Sequence, residues 1–193
     1  MARITDTSKM EKIREAIIDT VVVEGIKNAS VAKIAKQAQV SMGYLYRFHS
    51  SKQELIDFIF KGLFQNLSQR LLTLLQEEKK LNTALHKFIT ELFTQANERP
   101  NHLLFLIKLT TDYSFHLAKE ERETLNEICN KALALGLQTK EIRQDMTPEM
   151  LYTIIIGTAF FFINLRERAI FNKSAFTQED VQLLTDIYTQ ALA

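Results

Sequence analysis

The stretch Val31–Leu55, VAKIAKQAQVSMGYLYRFHSSKQEL, decides how this chain is read. Ser30 stands where a helix N-cap belongs. Behind it Val31, Ile34, Ala35 and Ala38 recur at three- and four-residue steps, with Lys33 and Lys36 on the opposite face. Gln39, Val40 and Ser41 break that period. A second short helix is predicted over Met42 to His49, with Leu45 and Phe48 as inward anchors. Ser51 and Glu54 have the spacing of a capping box and open a long amphipathic helix through Leu55, Phe58, Ile59, Leu63, Leu67 and Leu71. Short helix, three-residue break and short helix form the layout of a helix-turn-helix, whose second helix enters the major groove of DNA.

Outward from this stretch the pattern stays helical. On the N-terminal side Ser8 and Glu11 are spaced as a capping box, and Ile13, Ala16, Ile17 and Val21 mark an amphipathic helix ending near Gly25. On the C-terminal side a helix is predicted from about Thr83 to Ala96, halted before Pro100, and another from Asn101 to about Phe115. A third runs from Lys119 to Leu135, with Gly136 as its stop. Thr147-Pro148-Glu149 combines a capping oxygen, a proline at the first helical position and an acid at the positive end of the dipole. The helix it opens, about 148–171, carries Gly157 and Phe160-Phe161-Phe162. Thr177 and Asp180 open the last helix, with Val181, Leu184, Ile187, Tyr188 and Ala191 along one face. Strand periodicity, repeats and low-complexity linkers are lacking from the pattern. The expected fold is all-α: a three-helix helix-turn-helix domain over residues 1–52 joined to a helical bundle over 53–193.

Composition agrees with a globular chain of 193 residues, 46 % hydrophobic and 24 % charged. Two Pro and 5 Gly leave room for long helices, and 13 Phe supply large apolar surfaces where Trp is absent. The single cysteine, Cys129, precludes an intramolecular disulfide and fits a reducing, cytoplasmic setting. It lies beside Leu125, Ile128 and Ala132 and reads as a small buried hydrophobe. Met1–Glu15 is polar and has no signal-peptide core. The longest apolar run, Met150 to Leu165, includes Thr153, Thr158 and Asn164 and falls short of the about 20 apolar residues of a membrane span. A buried helix, and no membrane partner, is expected. Residues 1–63 hold 10 Lys/Arg against 7 Asp/Glu, and the remainder 14 against 16. A basic head on a mildly acidic body fits a polyanionic partner for the head.

A recognition helix must offer side chains to phosphates and base edges. Met42, Gly43, Tyr44, Tyr46 and Arg47 lie on or near that face. Gly43 lets the backbone come close to DNA, and a tyrosine can offer its hydroxyl to a phosphate and its ring to a thymine methyl. Lys52, in the first turn of the next helix, is placed for a phosphate. Ser30 is first of all a helix cap with a phosphate contact as a second role, Ser41 in the break is a further DNA-contact candidate, and Lys33 belongs to the basic face.

The pattern V-S-x-G-x-L-Y-x-x-x-x-S-K-x-x-L, from Val40 to Leu55, resembles the DNA-binding signature of TetR/AcrR-type regulators. Gly25 and Ile34-Ala35 fall where that family's first turn and second helix place them. Members often carry an aromatic or His followed by Phe after the Tyr-x pair, whereas this chain reads Phe48-His49. The resemblance implies a ligand-responsive transcriptional regulator, a repressor that binds a near-palindromic operator in double-stranded DNA as a homodimer and is released by a small effector. It also implies an effector pocket among the C-terminal helices. Phe88, Phe105, Tyr113, His116, Tyr152 and Phe161 are candidate lining residues there, and Asp112 a further polar one; their composition favours an apolar ligand.

The apolar run Leu151–Leu165, paired with the final helix, suits a four-helix interface with a twofold mate. His49, His86, His102 and His116 are scattered, so no metal site is expected. No Gly-rich phosphate loop and no Gly-x-Ser-x-Gly occurs, and Cys129 has no neighbouring base, so neither an enzyme nor a cofactor is expected. An effector-independent regulator, or a lipid-binding protein or enzyme on the same fold, are the alternatives left open.

Overall fold

A computed structural model describes residues 2–47, 49–171 and 174–193, with side chains from Ser8 onward. Ten α-helices follow one another among the described residues, without a strand. They are α1 (Ala2–Asn28), α2 (Val31–Ala38), α3 (Met42–Tyr46), α4 (Lys52–Glu77), α5 (Leu81–Glu98), α6 (Pro100–Thr110), α7 (Lys119–Gln138), α8 (Pro148–Tyr152), α9 (Thr158–Glu167) and α10 (Gln178–Leu192). The chain divides into two compact units, residues 1–64 with 104–115 and residues 65–103 with 116–193. Helices α4 and α6 each contribute to both.

In the first unit the core is built from the periodic residues of the sequence. Ile13, Ala16, Ile17 and Val21 of α1 are buried, as are Ile34, Ala35 and Ala38 of α2 and Leu45 of α3. Each short helix is stopped and started locally. Gln39 takes the left-handed conformation at φ 58° to end α2, and Ser41 caps α3 by accepting from the Tyr44 N–H at 3.2 Å. Helix α3 is shorter than predicted, ending at Tyr46, and Phe48 lies outside the described residues.

Helix α1 begins at Ala2 rather than at Ser8, so the Ser8–Glu11 spacing lies within it instead of starting it. Its break falls at Gly25, whose φ of 80° and ψ of 164° suit a residue without Cβ. Two lysines from other helices meet carbonyls around that break. Lys108 of α6 donates to the Val22 carbonyl at 2.6 Å, and Lys52 of α4 donates to those of Ile26 and Lys27 at 2.7 and 3.3 Å. Carbonyls at an interrupted helix are thereby paired instead of buried bare.

The second unit has its core between α5 and α10. Leu85, Phe88, Ile89 and Leu92 are buried on α5, and Val181, Leu184 and Tyr188 on α10. The Glu141 carboxylate caps α5 by accepting from the N–H groups of Leu81 and Asn82 at 2.7 and 3.2 Å. Gly136 is not the stop of α7. It is buried inside the helix, where a Cβ would sit 2.5 Å from Ile142 Cγ1 and 2.9 Å from Leu81 Cδ2. Lys140, with φ 59°, turns the chain instead.

Thr147 caps α8 as predicted, accepting from the Met150 N–H at 3.2 Å. The run from Pro148 to Glu167 is interrupted by one π-helical turn, Thr153–Gly157. It ends four residues earlier than predicted, because Ala169 adopts φ 51° and the Ile170 N–H turns back onto the Leu165 carbonyl at 3.2 Å. At 20 residues and mean hydropathy 1.4 this run is long and apolar enough to cross a membrane, and only 22 % of the apolar window is buried. The expectation of a buried helix is therefore corrected: the run is buried along one side only. Leu151, Ile155, Ala159 and Ile163 face the core, while Met150 and Phe161 are 53 % and 62 % exposed. On α10 likewise Leu184 packs inside the unit, and Leu183 and Ile187 face outward.

Candidate DNA-binding face

Among its described residues the segment has one buried anchor, Leu45, with the Ser41 cap fixing the start of α3. Anchoring through one residue leaves the rest of the helix outward. Ser41, Met42, Gly43, Tyr46 and Arg47 are exposed and Tyr44 is half-buried. A Cβ on Gly43 would meet only the Ser41 hydroxyl, at 4.0 Å, so nothing within the fold requires glycine there. Met42 and Tyr46, both 51 % exposed, are large apolar surfaces that the head does not itself bury. The ammonium of Lys9 on α1 lies 5.4 Å from the Tyr44 ring centroid, a cation–π contact that positions this ring against the α1 face.

The other residues expected here have roles within the fold as well. Ser30 caps α2, accepting from the Lys33 N–H at 3.3 Å. Lys33 pairs with Glu24 at 2.8 Å on the surface. Lys52 is spent on the α1 carbonyls, an engagement that its position in a first helical turn does not reveal. At the start of α4, Ser51 accepts from the Glu54 N–H at 3.1 Å, and the Glu54 carboxylate accepts from the Ser50 N–H and hydroxyl at 2.6 and 2.7 Å. Those hydrogen bonds hold the Glu54 carboxyl below its ordinary range, so this acid stays charged beside the recognition segment. The His49 ring lies 5.0 Å from that of Phe58 of α4, tilted by 44°, which gives it a packing partner.

The residues expected to line an effector pocket are not brought together. Phe88 and Phe105 are fully buried, and they fall in different units. Tyr113 is 100 % exposed at the edge of an open hollow that Lys27, Lys108, Thr111, Asp112 and Ser114 complete. Asp112 turns its carboxylate to the Ser114 N–H and hydroxyl, which lowers its pKa. His116 is exposed, and Phe161 lies on the outer face of α9. Tyr152 is half-buried, and burial, followed by the neighbouring Cys129, pushes its phenol pKa up. Cys129 is itself buried, with its thiol raised by burial. Among the described residues no group of three His, Cys, Asp or Glu side chains is placed to hold a metal ion.

Comparison with known proteins bears on this geometry. Residues 13–58, which span α1 to the start of α4, match the family described as "Bacterial regulatory proteins, tetR family". Over 185 residues the chain is 28 % identical to the HTH-type transcriptional regulator YvdT of Bacillus subtilis, covering 89 % of this chain and 93 % of that protein. The crystal structure of a TetR family transcription regulator from Marinobacter aquaeolei superposes with a TM-score of 0.81 at 22 % identity, covering 99 % of this chain and 98 % of that one. FadR from Bacillus subtilis, solved in complex with stearoyl-CoA, superposes with a TM-score of 0.66 at 20 % identity, covering 95 % and 98 %. These superpositions establish the fold, and the matched segment includes α3. Residues 13–58 thus match the helix-turn-helix head of the tetR family of bacterial regulatory proteins, and the chain as a whole shares the fold of TetR family transcription regulators.

Proposed function

We propose that this regulator is a repressor that binds a near-palindromic operator as a homodimer and is released by a small effector. The observation that carries the reading is α3. It is a short helix fixed by one buried leucine and a serine cap, with Met42, Tyr46 and Arg47 turned outward on a basic head. Tyr44, Tyr46 and the close approach allowed by Gly43 supply base and sugar contacts. Ser30, Lys33, Ser41, Arg47 and Lys52 serve the phosphates, with Lys33 and Lys52 leaving their internal partners to do so.

The second half of the reading rests on unpartnered apolar surface. Met150 and Phe161 on the α8–α9 run and Leu183 and Ile187 on α10 are all about half exposed or more, and Gly157 between them allows close approach. A twofold mate covers such a surface, because obligate homodimer interfaces resemble a core cut in half and bury about 2,000 Å² or more. Two recognition helices then enter successive major grooves about 34 Å apart.

Effector response follows from chain continuity. Helix α4 starts in the first unit and ends among the residues of the second, so one continuous helix belongs to both. The effector releases DNA only insofar as it binds the non-binding conformation better, a coupling of about 1–3 kcal/mol. FadR of Bacillus subtilis, whose structure holds stearoyl-CoA, supports a ligand with an apolar body.

The test is sedimentation of the chain alone and with a duplex of defined length, repeated across salt concentrations. The expected result is two chains per duplex, with affinity falling by roughly 0.9 log units per phosphate contact for each tenfold rise in salt. A monomer, or binding indifferent to salt, rules the reading out.

A further inference from the structure

Helix α7 opens with two acids, Glu120 and Glu121, in its first turn. An acid there favours the positive end of the helix dipole. Glu120 meets that description from solvent, being exposed. Glu121 does not. It is 5 % exposed, and its Oε2 is buried without a hydrogen-bond partner. The helix dipole does not require burial, and a buried carboxylate that lacks a cation or donor costs several kcal/mol, so a native fold keeps one only where something meets it.

Its surroundings on the helix show what kind of partner fits. Glu121 begins the buried stripe of α7 that continues through Ile128, Cys129, Ala132 and Gly136. The α8 helix packs on α7, and its Tyr152 lies close enough to Cys129 for the thiol to influence its phenol. One end of this inner face is thus a carboxylate, and the rest is aliphatic, thiol and phenol.

We propose that Glu121 is the charge-recognition residue of the effector site, and that the effector is an apolar organic cation, such as a protonated amine on a hydrocarbon body. The inference rests on the reading that the second unit receives an effector, and it deepens that reading by fixing the sign of the ligand's charge. The ammonium donates to the Glu121 carboxylate and the hydrocarbon lies along Ile128 and Ala132. A ligand whose buried end is a carboxylate meets like charge at the same point and is rejected.

The test uses the full chain and three probes of one length below their micelle concentrations: decylamine, decanol and decanoate, titrated calorimetrically. Decylamine is expected to bind about tenfold or more tighter than decanoate, a difference of about 1.4 kcal/mol. Glu121→Gln is expected to abolish that preference, leave decanol binding unchanged and raise the melting temperature of the ligand-free chain. Glu121→Met, apolar and of similar length, is expected to do the same. Equal or tighter binding of decanoate overturns the charge assignment and leaves effector response standing. A preference that survives both substitutions overturns the role of Glu121. A lowered melting temperature with unaltered binding makes the residue a helix-end acid only. Failure of all three probes to bind overturns this inference and the effector reading together.

Discussion

At the scale of single residues, the account turns on which side chains the fold leaves unspent. Tyr46 is half exposed and outside the core, so Tyr46→Ala is expected to weaken operator binding by about 1–3 kcal/mol while the sedimenting mass stays the same. Unchanged affinity for the operator removes Tyr46 from the site. Asp180 is the opposite case, a residue fully committed within the fold. It forms a two-point ion pair with Arg166 at 2.7 and 2.8 Å and a reciprocal cap with Thr177. The Arg166 guanidinium also lies over the Phe162 and Phe176 rings, at 4.7 and 4.2 Å. The Arg166 hydrogen bonds, ahead of the other contributions, bring the Asp180 carboxyl down to about 2 from 3.8. A depressed folded-state pKa stabilises the fold above the unfolded value, and that stabilisation is lost as pH falls through the folded one. Asp180→Asn is accordingly expected to cost about 1–2 kcal/mol at pH 7 by urea unfolding, with the gap to wild type closing between about pH 4 and pH 2. A gap that persists unchanged at pH 2 shows that the ion pair is not its source.

At the scale of elements, the π-helical turn is the feature with the clearest energetic signature. A π turn shifts the hydrogen-bond register and exposes carbonyls to misfit. Tyr188 of α10, fully buried, donates its hydroxyl to the Ile155 carbonyl at 2.6 Å and accepts from the Thr158 hydroxyl at 3.1 Å. Burial pushes the Tyr188 phenol well above its ordinary pKa, so it remains a donor at all working pH values. Tyr188→Phe is expected to remove one of the hydrogen bonds to that carbonyl, which keeps the Thr158 N–H, and to cost about 0.5–1.5 kcal/mol in chemical unfolding; a neutral effect shows that the remaining donors satisfy the turn. None of this was legible in the sequence, where Thr153–Gly157 reads as ordinary helix. The caps at Ser30, Ser51, Thr147 and Thr177 were legible, because a cap is settled by residues three positions apart. Gly136 was misread as a stop for the converse reason. Its meaning is set by Ile142 and Leu81, and the latter lies 55 positions away. Lys52 is a related case, since its place in a first helical turn reveals nothing of the Ile26 and Lys27 carbonyls to which it donates.

At the scale of the whole molecule, the chain's helical content and head were readable because both follow from period and local punctuation. The pocket was not, since aromatic residues at helical spacing look alike whether they face a core, a ligand or a mate. Leu184, which shares the apolar face of the last helix with Ile187, is turned into the unit, while Leu183 and Ile187 remain outside. Ile187→Asp, exposed and clear of the core, is therefore expected to yield a monomer with undiminished helical circular dichroism and at least about a hundredfold weaker operator binding, since one head alone keeps only half of the contacts. A dimer that survives this change places the interface elsewhere.

The account as a whole claims that two copies of α3 read two halves of one DNA site. Selection of bound sequences from random duplex DNA at two salt concentrations addresses that claim directly. The account predicts a near-palindrome with half-sites one helical turn apart, recovered at both concentrations with affinity falling steeply as salt rises. Recovery of a single unrepeated motif, or of no motif at all, contradicts it.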